Sequence, residues 1–134
     1  MKLHHIGVAS RDLQTALDSL GLDHSQILEE VKDEIQKNWL YFVKMLDNDL
    51  FLEIVVPFET SSTVKNAVGA HPLNLHHLAF QTDSIEQTLA KQKSIKGNIP
   101  LKRYSLTVKS FGGKIKTVFI FAKGLLIEFV ENAS

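Results

Sequence analysis

Apolar and polar residues follow two kinds of pattern in this chain, and the patterns occur in the same order in each half. Apolar positions spaced three and four apart predict helices, whereas short apolar or alternating runs predict strands. The first half is predicted to form a strand over 3–9, a helix over 12–22, and strands over 27–31, 39–46 and 50–56. The second half is predicted to form a strand over 75–82, a helix over 84–92, and strands over 103–108, 114–121 and 125–130. Each half therefore has the order βαβββ.

Turn-forming residues separate these elements. Gly21 marks the end of the first helix, and Asp47-Asn48-Asp49, Phe111-Gly112-Gly113 and Lys123-Gly124 mark turns between strands. We take Phe111-Gly112-Gly113-Lys114 to be a hairpin turn, with an anion-facing lid as the alternative. The whole chain, 1–134, is expected to be one α+β domain of two modules, 1–58 and 75–134. They are joined by a connector over 59–74 with a short helix around 64–68.

A repeated histidine doublet marks the start of each module. Leu3-His4-His5-Ile6-Gly7-Val8-Ala9 and Leu75-His76-His77-Leu78-Ala79-Phe80-Gln81 lie 72 residues apart. Successive side chains on a strand point to opposite faces, so His5 shares a face with Gly7 and Ala9, and His77 shares one with Ala79 and Gln81. Small neighbours leave space beside the second histidine of each doublet, which we therefore expect to face a cavity, with His4 and His76 flanking it.

Each module also ends with a single carboxylate in an apolar strand, Glu53 in the first and Glu128 in the second. An unpaired buried carboxylate costs several kcal/mol, so such a residue needs a cation or hydrogen-bond donors. Taken alone, a strand histidine is more often a core or rim residue, and a strand glutamate can point outward. The repetition of both residues favours one divalent metal ion bound by His5, Glu53, His77 and Glu128.

Composition narrows the classes of function. The 134 residues include no cysteine, so disulfides and thiolate metal sites are excluded. The start of the chain lacks the apolar segment of a secretory signal, and no apolar run is long enough to span a membrane, so we expect a cytoplasmic protein. Basic and acidic residues balance at 15 each, which argues against a nucleic-acid partner.

These residues resemble the vicinal-oxygen-chelate superfamily, the relatives of glyoxalase I and methylmalonyl-CoA epimerase. The resemblance covers nearly the whole chain, and His5, Glu53, His77 and Glu128 match the four metal ligands of the family. It implies two βαβββ modules that form a curved, half-open mixed β-barrel around a metal cavity, the glyoxalase/bleomycin-resistance/dioxygenase fold. It also implies a homodimer. Two nitrogen and two oxygen ligands suit Zn, Co, Ni, Mn or Fe.

The resemblance further implies an isomerase or lyase, with an acyl-CoA epimerase or a lactoylglutathione-lyase-like enzyme as examples. Such enzymes remove a proton from the carbon next to a metal-bound carbonyl. Glu128 is expected to be either the base or a permanent ligand. Epimerases of the family carry a second acid, and an ungapped alignment places Gln36 there, whereas Glu34 needs a shift of register and Asp33 is a further substitute. We take Glu34 as the second catalytic candidate.

The charge distribution suggests a small anionic substrate, such as an acyl-CoA or a thiol adduct. Residues 87–127 contain nine basic side chains and no acidic one, which is typical of a solvated face but also suits an anion-binding surface. Lys102, Arg103, Lys114 and Lys116 are the expected phosphate partners. The alternative function is a non-catalytic small-molecule-binding or resistance module, suggested by Trp39, Tyr41 and Phe42 on a strand next to the expected cavity.

Overall fold

A computed structural model describes residues 1–45, 49–69 and 71–133. Contacts divide the chain into two compact units, which we call the first unit (5–76) and the second unit (1–4 with 77–134). Neither α-helix in the described residues is long and apolar enough to cross a membrane. The elements are β1 Lys2–Ala9, α1 Leu13–Leu20, β2 Ile27–Asp33, β3 Asn38–Lys44, β4 Phe51–Pro57, β5 Asn74–Gln81, α2 Ile85–Lys93, β6 Asn98–Val108, β7 Gly113–Ala122 and β8 Leu125–Asn132.

The predicted βαβββ order is confirmed in both halves of the chain. Most strand and helix ends fall within two residues of the predicted ones. The short helix expected around 64–68 is a single 3₁₀ turn, Lys65–Ala67. The end of the third predicted strand and the turn at Asp47-Asn48-Asp49 fall largely on residues 46–48, which lie outside the described part of the chain.

The first unit is a mixed sheet with α1 packed on one face. Its strand order is β2-β3-β4-β1, in which β1 runs parallel to β4 and the other pairs are antiparallel. The Asp12 side chain accepts a hydrogen bond from the Thr15 N–H at the start of α1, and Gly21 ends the helix in the left-handed conformation, with φ of 68°. Buried side chains of the helix and sheet form one core, which contains Ala16, Leu17, Tyr41, Val43, Ile54 and Val56.

The second unit repeats this arrangement. Its strand order is β5-β8-β7-β6, with β5 parallel to β8 and the remaining pairs antiparallel. The Ser84 side chain accepts a hydrogen bond from the Gln87 N–H and so caps α2. The apolar side of α2 then packs on one face of the sheet, in a core that contains Ile85, Leu89, Val118, Ile120 and Phe129.

The strand β6 differs most from the prediction, since it begins at Asn98 rather than at residue 103. The added segment contains Pro100, and proline cannot donate a ladder hydrogen bond. β6 is last in the strand order, where a missing donor is tolerated, and its pairing with β7 shifts between Pro100 and Arg103. The hairpin expected after β6 is present, with a 3₁₀ turn over Lys109–Phe111 that ends at Gly112.

Leu17→Ala is expected to lower the free energy of unfolding by about 2–5 kcal/mol, because it removes a fully buried side chain between α1 and the sheet. Leu28→Ala is the matched control, since Leu28 belongs to the same unit and is 57% exposed, and its effect should stay within about 0.5 kcal/mol. Urea unfolding followed by circular dichroism measures both. Equal losses in the two variants would contradict the packing described for α1.

Candidate metal centre

The first unit places His5 next to Glu53. The parallel register of β1 and β4 sets Glu53 opposite Gly7, which has no side chain and leaves room between the imidazole and the carboxylate. The His5 Nε2 and Glu53 Oε2 atoms are 3.4 Å apart, and the two side chains are 1% and 8% exposed. The buried carboxylate of Glu53 therefore has an imidazole as a close neighbour, which provides the polar partner that a buried charge needs.

The second unit repeats the pair with His77 and Glu128. Here Glu128 lies opposite Ala79 in the register of β5 and β8, so a small residue again makes the space. His77 Nε2 and Glu128 Oε1 are 3.3 Å apart, and these side chains are also nearly inaccessible. The other oxygen of Glu128, Oε2, accepts a hydrogen bond from the hydroxyl of buried Thr117.

A phenylalanine packs against each histidine. Phe42 lies opposite Glu53 and Phe119 lies opposite Glu128, and the His5–Phe42 and His77–Phe119 ring centroids are 6.4 and 5.2 Å apart. Both contacts are close to perpendicular, a preferred geometry for aromatic rings, so each phenylalanine helps to hold the imidazole beside it. Phe119 is not among the residues predicted from the sequence, although a phenylalanine between apolar residues in the strand before each glutamate was a usable signal.

The distances within each pair fit a shared ion. Two ligand atoms that each lie about 2.0–2.2 Å from a metal ion in tetrahedral coordination are about 3.3–3.6 Å apart. The observed separations of 3.4 and 3.3 Å fall in that range. Neutral imidazole and carboxylate are ligands of first-row divalent metals. Each pair therefore offers two of the four ligand atoms of a tetrahedral site.

The first histidine of the doublet at the start of β1 has different surroundings. His4 packs its ring edge-on against Phe111, with ring centroids 4.1 Å apart, and alternates with His5 along the strand. His76 likewise precedes His77 on β5 and is less buried than it. In each doublet the second histidine is the one that lies beside the glutamate of its module.

The structure does not bring the second acidic candidate to the His5–Glu53 pair. Glu34 is exposed in the turn between β2 and β3, where Lys32 and Lys37 lie 3.2 and 3.9 Å from its oxygens. That turn is four residues along β3 from the position opposite Glu53, about 13 Å at 3.3 Å per residue. The catalytic role of Glu34 stays a prediction without structural support.

The two alternatives to Glu34 lie in or beside the same turn. The Asp33 Oδ1 atom accepts hydrogen bonds from the Ile35 and Gln36 N–H groups, 3.0 Å each, which shapes the turn. The Gln36 side-chain oxygen accepts a 2.8 Å hydrogen bond from the Thr63 hydroxyl. Both side chains thus hold the β2–β3 turn and the loop that follows β4.

Two of the three aromatic residues on the strand next to the expected cavity pack on the α1 side of that strand. Tyr41 belongs to the core beneath α1, and Trp39 packs against that core. Of these three aromatic residues, only Phe42 lies on the face of the sheet that carries Glu53, because side chains alternate along β3. The observation that suggested a non-catalytic binding module therefore no longer supports it.

Three of the four cations that are expected to bind an anion lie on the α2 side of the second unit's sheet. Arg103 pairs with Val118 in register, and Val118 belongs to the core beneath α2. Lys114 and Lys116 lie four and two residues before Val118 on β7. Side chains two apart on a strand point to the same face, so both lysines also lie on the α2 side. His77 and Glu128 lie on the other face of this sheet. The fourth cation, Lys102, falls in the irregular part of β6.

The Arg103 side chain is occupied on the α2 side. Its guanidinium donates hydrogen bonds to both oxygens of Glu86 in the first turn of α2. These hydrogen bonds, with the attraction between the charges, hold the pKa of Glu86 below its ordinary value. Lys116 lies 4.0 Å from Glu131 on the same side.

Comparison with known proteins decides the family. Residues 4–100 match the model of the Glyoxalase/Bleomycin resistance protein/Dioxygenase superfamily. The chain belongs to this superfamily. No curated protein sequence matches it significantly.

Solved structures of this superfamily are similar over the whole chain. A methylmalonyl-CoA epimerase from Mycobacterium tuberculosis is 21% identical, with a TM-score of 0.78, over 99% of this chain and 89% of that chain. A Streptomyces coelicolor methylmalonyl-CoA epimerase in complex with 2-nitronate-propionyl-CoA is 22% identical, with a TM-score of 0.79, over 100% and 99%. A methylmalonyl-CoA epimerase in complex with methylmalonyl-CoA and NH4+ is 22% identical, with a TM-score of 0.79, over 99% and 95%. At this identity the likeness shows the fold, and it confirms the predicted glyoxalase-type fold class.

Arg103→Gln is expected to raise the pKa of Glu86 towards its ordinary value, because it removes the charged partner and its hydrogen bonds. Lys102→Gln, the neighbouring charge, should leave that pKa unchanged. An NMR titration of the Glu86 carboxyl group measures both. An unchanged pKa in Arg103→Gln would show that Arg103 is directed elsewhere.

Proposed function

We propose that His5, Glu53, His77 and Glu128 bind one divalent metal ion, and that the protein is a metal-dependent isomerase or lyase. The observation that carries the proposal is the repeated, buried pair of an imidazole nitrogen and a carboxylate oxygen, 3.4 Å apart in one unit and 3.3 Å apart in the other. Membership of the superfamily supports the joining of two such pairs on one ion.

The ligand set also balances charge. Two carboxylates carry two negative charges, two neutral imidazoles carry none, and a divalent ion would compensate both acids at once. Without an ion, each buried glutamate would depend on its histidine and on nearby hydrogen-bond donors. A bound divalent ion would act as a Lewis acid that polarises the carbonyl oxygen of a substrate.

The side chains around the pairs suit proton transfer next to such a carbonyl. Phe42 and Phe119 pack against the imidazoles, and Gly7 and Ala79 leave space on the same faces. Glu128 is the proposed base that takes the proton from the carbon beside the carbonyl, and its alternative role is that of a permanent ligand of the ion. A positioned general base contributes about 10²–10⁴ in rate.

An acyl-CoA epimerase is the first candidate activity, and a lactoylglutathione-lyase-like reaction is the second. Similar structures include epimerases bound to 2-nitronate-propionyl-CoA and to methylmalonyl-CoA, which makes a CoA thioester the first substrate to test. Arg103, Lys114 and Lys116 lie on the α2 side of the sheet, opposite the face that carries His77 and Glu128, so we assign them no contact with this substrate.

His5→Ala and His77→Ala are expected to lose most bound metal, because each removes a ligand. His4→Ala and His76→Ala are the matched controls, since each changes the adjacent histidine of the same strand, and both should retain metal. Elemental analysis after dialysis, with circular dichroism to check folding, measures the difference. Equal metal content in all four variants would contradict the proposed ligand set.

Incubation of the metal-loaded protein with methylmalonyl-CoA in heavy water is expected to introduce deuterium at the α-carbon, because the base exchanges its proton with solvent. Mass spectrometry measures the exchange above the rate without enzyme, and Glu128→Gln, which cannot act as a base, should be inactive. The absence of exchange here, together with no turnover of a methylglyoxal–thiol adduct, would contradict the proposed activity.

A further inference from the structure

Thr117 is a buried hydroxyl on the face of the second unit's sheet that carries His77 and Glu128. The side chain is 1% exposed, and its Oγ1 atom donates a hydrogen bond to Glu128 Oε2. Burying a hydroxyl costs free energy unless it finds a partner, and the carboxylate supplies that partner. The two oxygens of Glu128 therefore have different neighbours, Thr117 at Oε2 and His77 at Oε1.

This hydroxyl has no counterpart at the matching position of the first unit. Thr117 pairs with Val130, two residues after Glu128, and Leu40 pairs with Val55, two residues after Glu53. Leucine cannot donate a hydrogen bond, so the position that matches Thr117 offers Glu53 no side-chain donor. Packing does not require threonine here, because an apolar residue fills the equivalent place in the first unit.

We propose that Thr117 is a positioning residue that fixes the orientation of Glu128 for metal binding, an inference that rests on the ligand set proposed above. The hydrogen bond to Oε2 fixes the rotation of the carboxylate, so Oε1 points to the side of His77 Nε2. An oxygen that accepts a hydroxyl proton is a poorer metal ligand, and Glu128 then binds through Oε1 alone. Residues that orient ligands in this way typically contribute 10–100-fold to metal affinity or activity.

The test uses Co²⁺ as the probe, since its visible spectrum reports on the ligands and their geometry. Thr117→Val keeps the shape of the side chain and removes the hydroxyl, so the Kd for Co²⁺ should rise by about 10–100-fold and the spectrum of the saturated protein should change. Thr117→Ser restores the donor and should restore both the affinity and the spectrum.

Thr88→Val is the matched control. Thr88 is also a buried threonine of the second unit and lies in α2. Its hydroxyl forms a 2.8 Å hydrogen bond with the Thr82 hydroxyl and not with Glu128. This variant should leave Co²⁺ affinity and spectrum unchanged. Thermal unfolding of the metal-free variants shows whether Thr117→Val and Thr88→Val lose comparable stability.

The outcomes separate this inference from the proposed function. Tight Co²⁺ binding by the wild-type protein with the same affinity and spectrum in Thr117→Val would overturn the role of Thr117 and leave the ligand set intact. Failure of Thr117→Ser to restore binding would also overturn it, since the effect would then not come from the hydroxyl. A wild-type protein that binds no Co²⁺ would overturn both proposals.

Discussion

The burial of one carboxylate in each unit is the constraint on which the site depends. Glu53 and Glu128 are both 6% exposed, and each lies on a sheet face among apolar residues. Replacing a buried ionic group by a well-packed apolar residue is often neutral or stabilising, so stability alone does not explain two such acids. Each acid lies close to an imidazole nitrogen, of His5 or of His77, and Gly7 and Ala79 leave the space for these pairs.

The two units repeat the pair but not all of its surroundings. Each has a small residue opposite the glutamate and a phenylalanine against the histidine. Only the second unit places a threonine hydroxyl at the position that Leu40 fills in the first. A duplicated module can keep its packing pattern while one copy acquires a polar contact, and that contact gives the two glutamates different environments.

The basic residues between 87 and 127 show that a run of charge in the sequence does not reveal which face of the sheet carries it. The nine basic residues between 87 and 127 are conspicuous in the sequence, yet Arg103, Lys114 and Lys116 share the helix side of the second unit. Glu86 and Glu131, two of the acidic residues near them, lie on that same side. The fold is shared by proteins with different activities, so the substrate depends on the side chains of the faces that carry the two pairs.

Local patterns in the sequence were sufficient to predict the elements and the repeat. Alternation and helical spacing determine which residues face a core, so the βαβββ order, the end of α1 near Gly21 and the opposite faces of His4 and His5 followed from neighbouring residues. Repetition made the two histidines and two glutamates stand out together. These features depend on contacts between residues close in the chain.

Tertiary structure decided what depends on pairing between distant strands. The start of β6 at Asn98 needed the edge position that tolerates Pro100, and the directions of Arg103 and Tyr41 needed the register with neighbouring strands. Thr117 was not recognisable in the sequence, because threonine is common in strands for its β-branched shape alone. Its hydroxyl meets Glu128, 11 residues further along the chain, only because β7 and β8 pair.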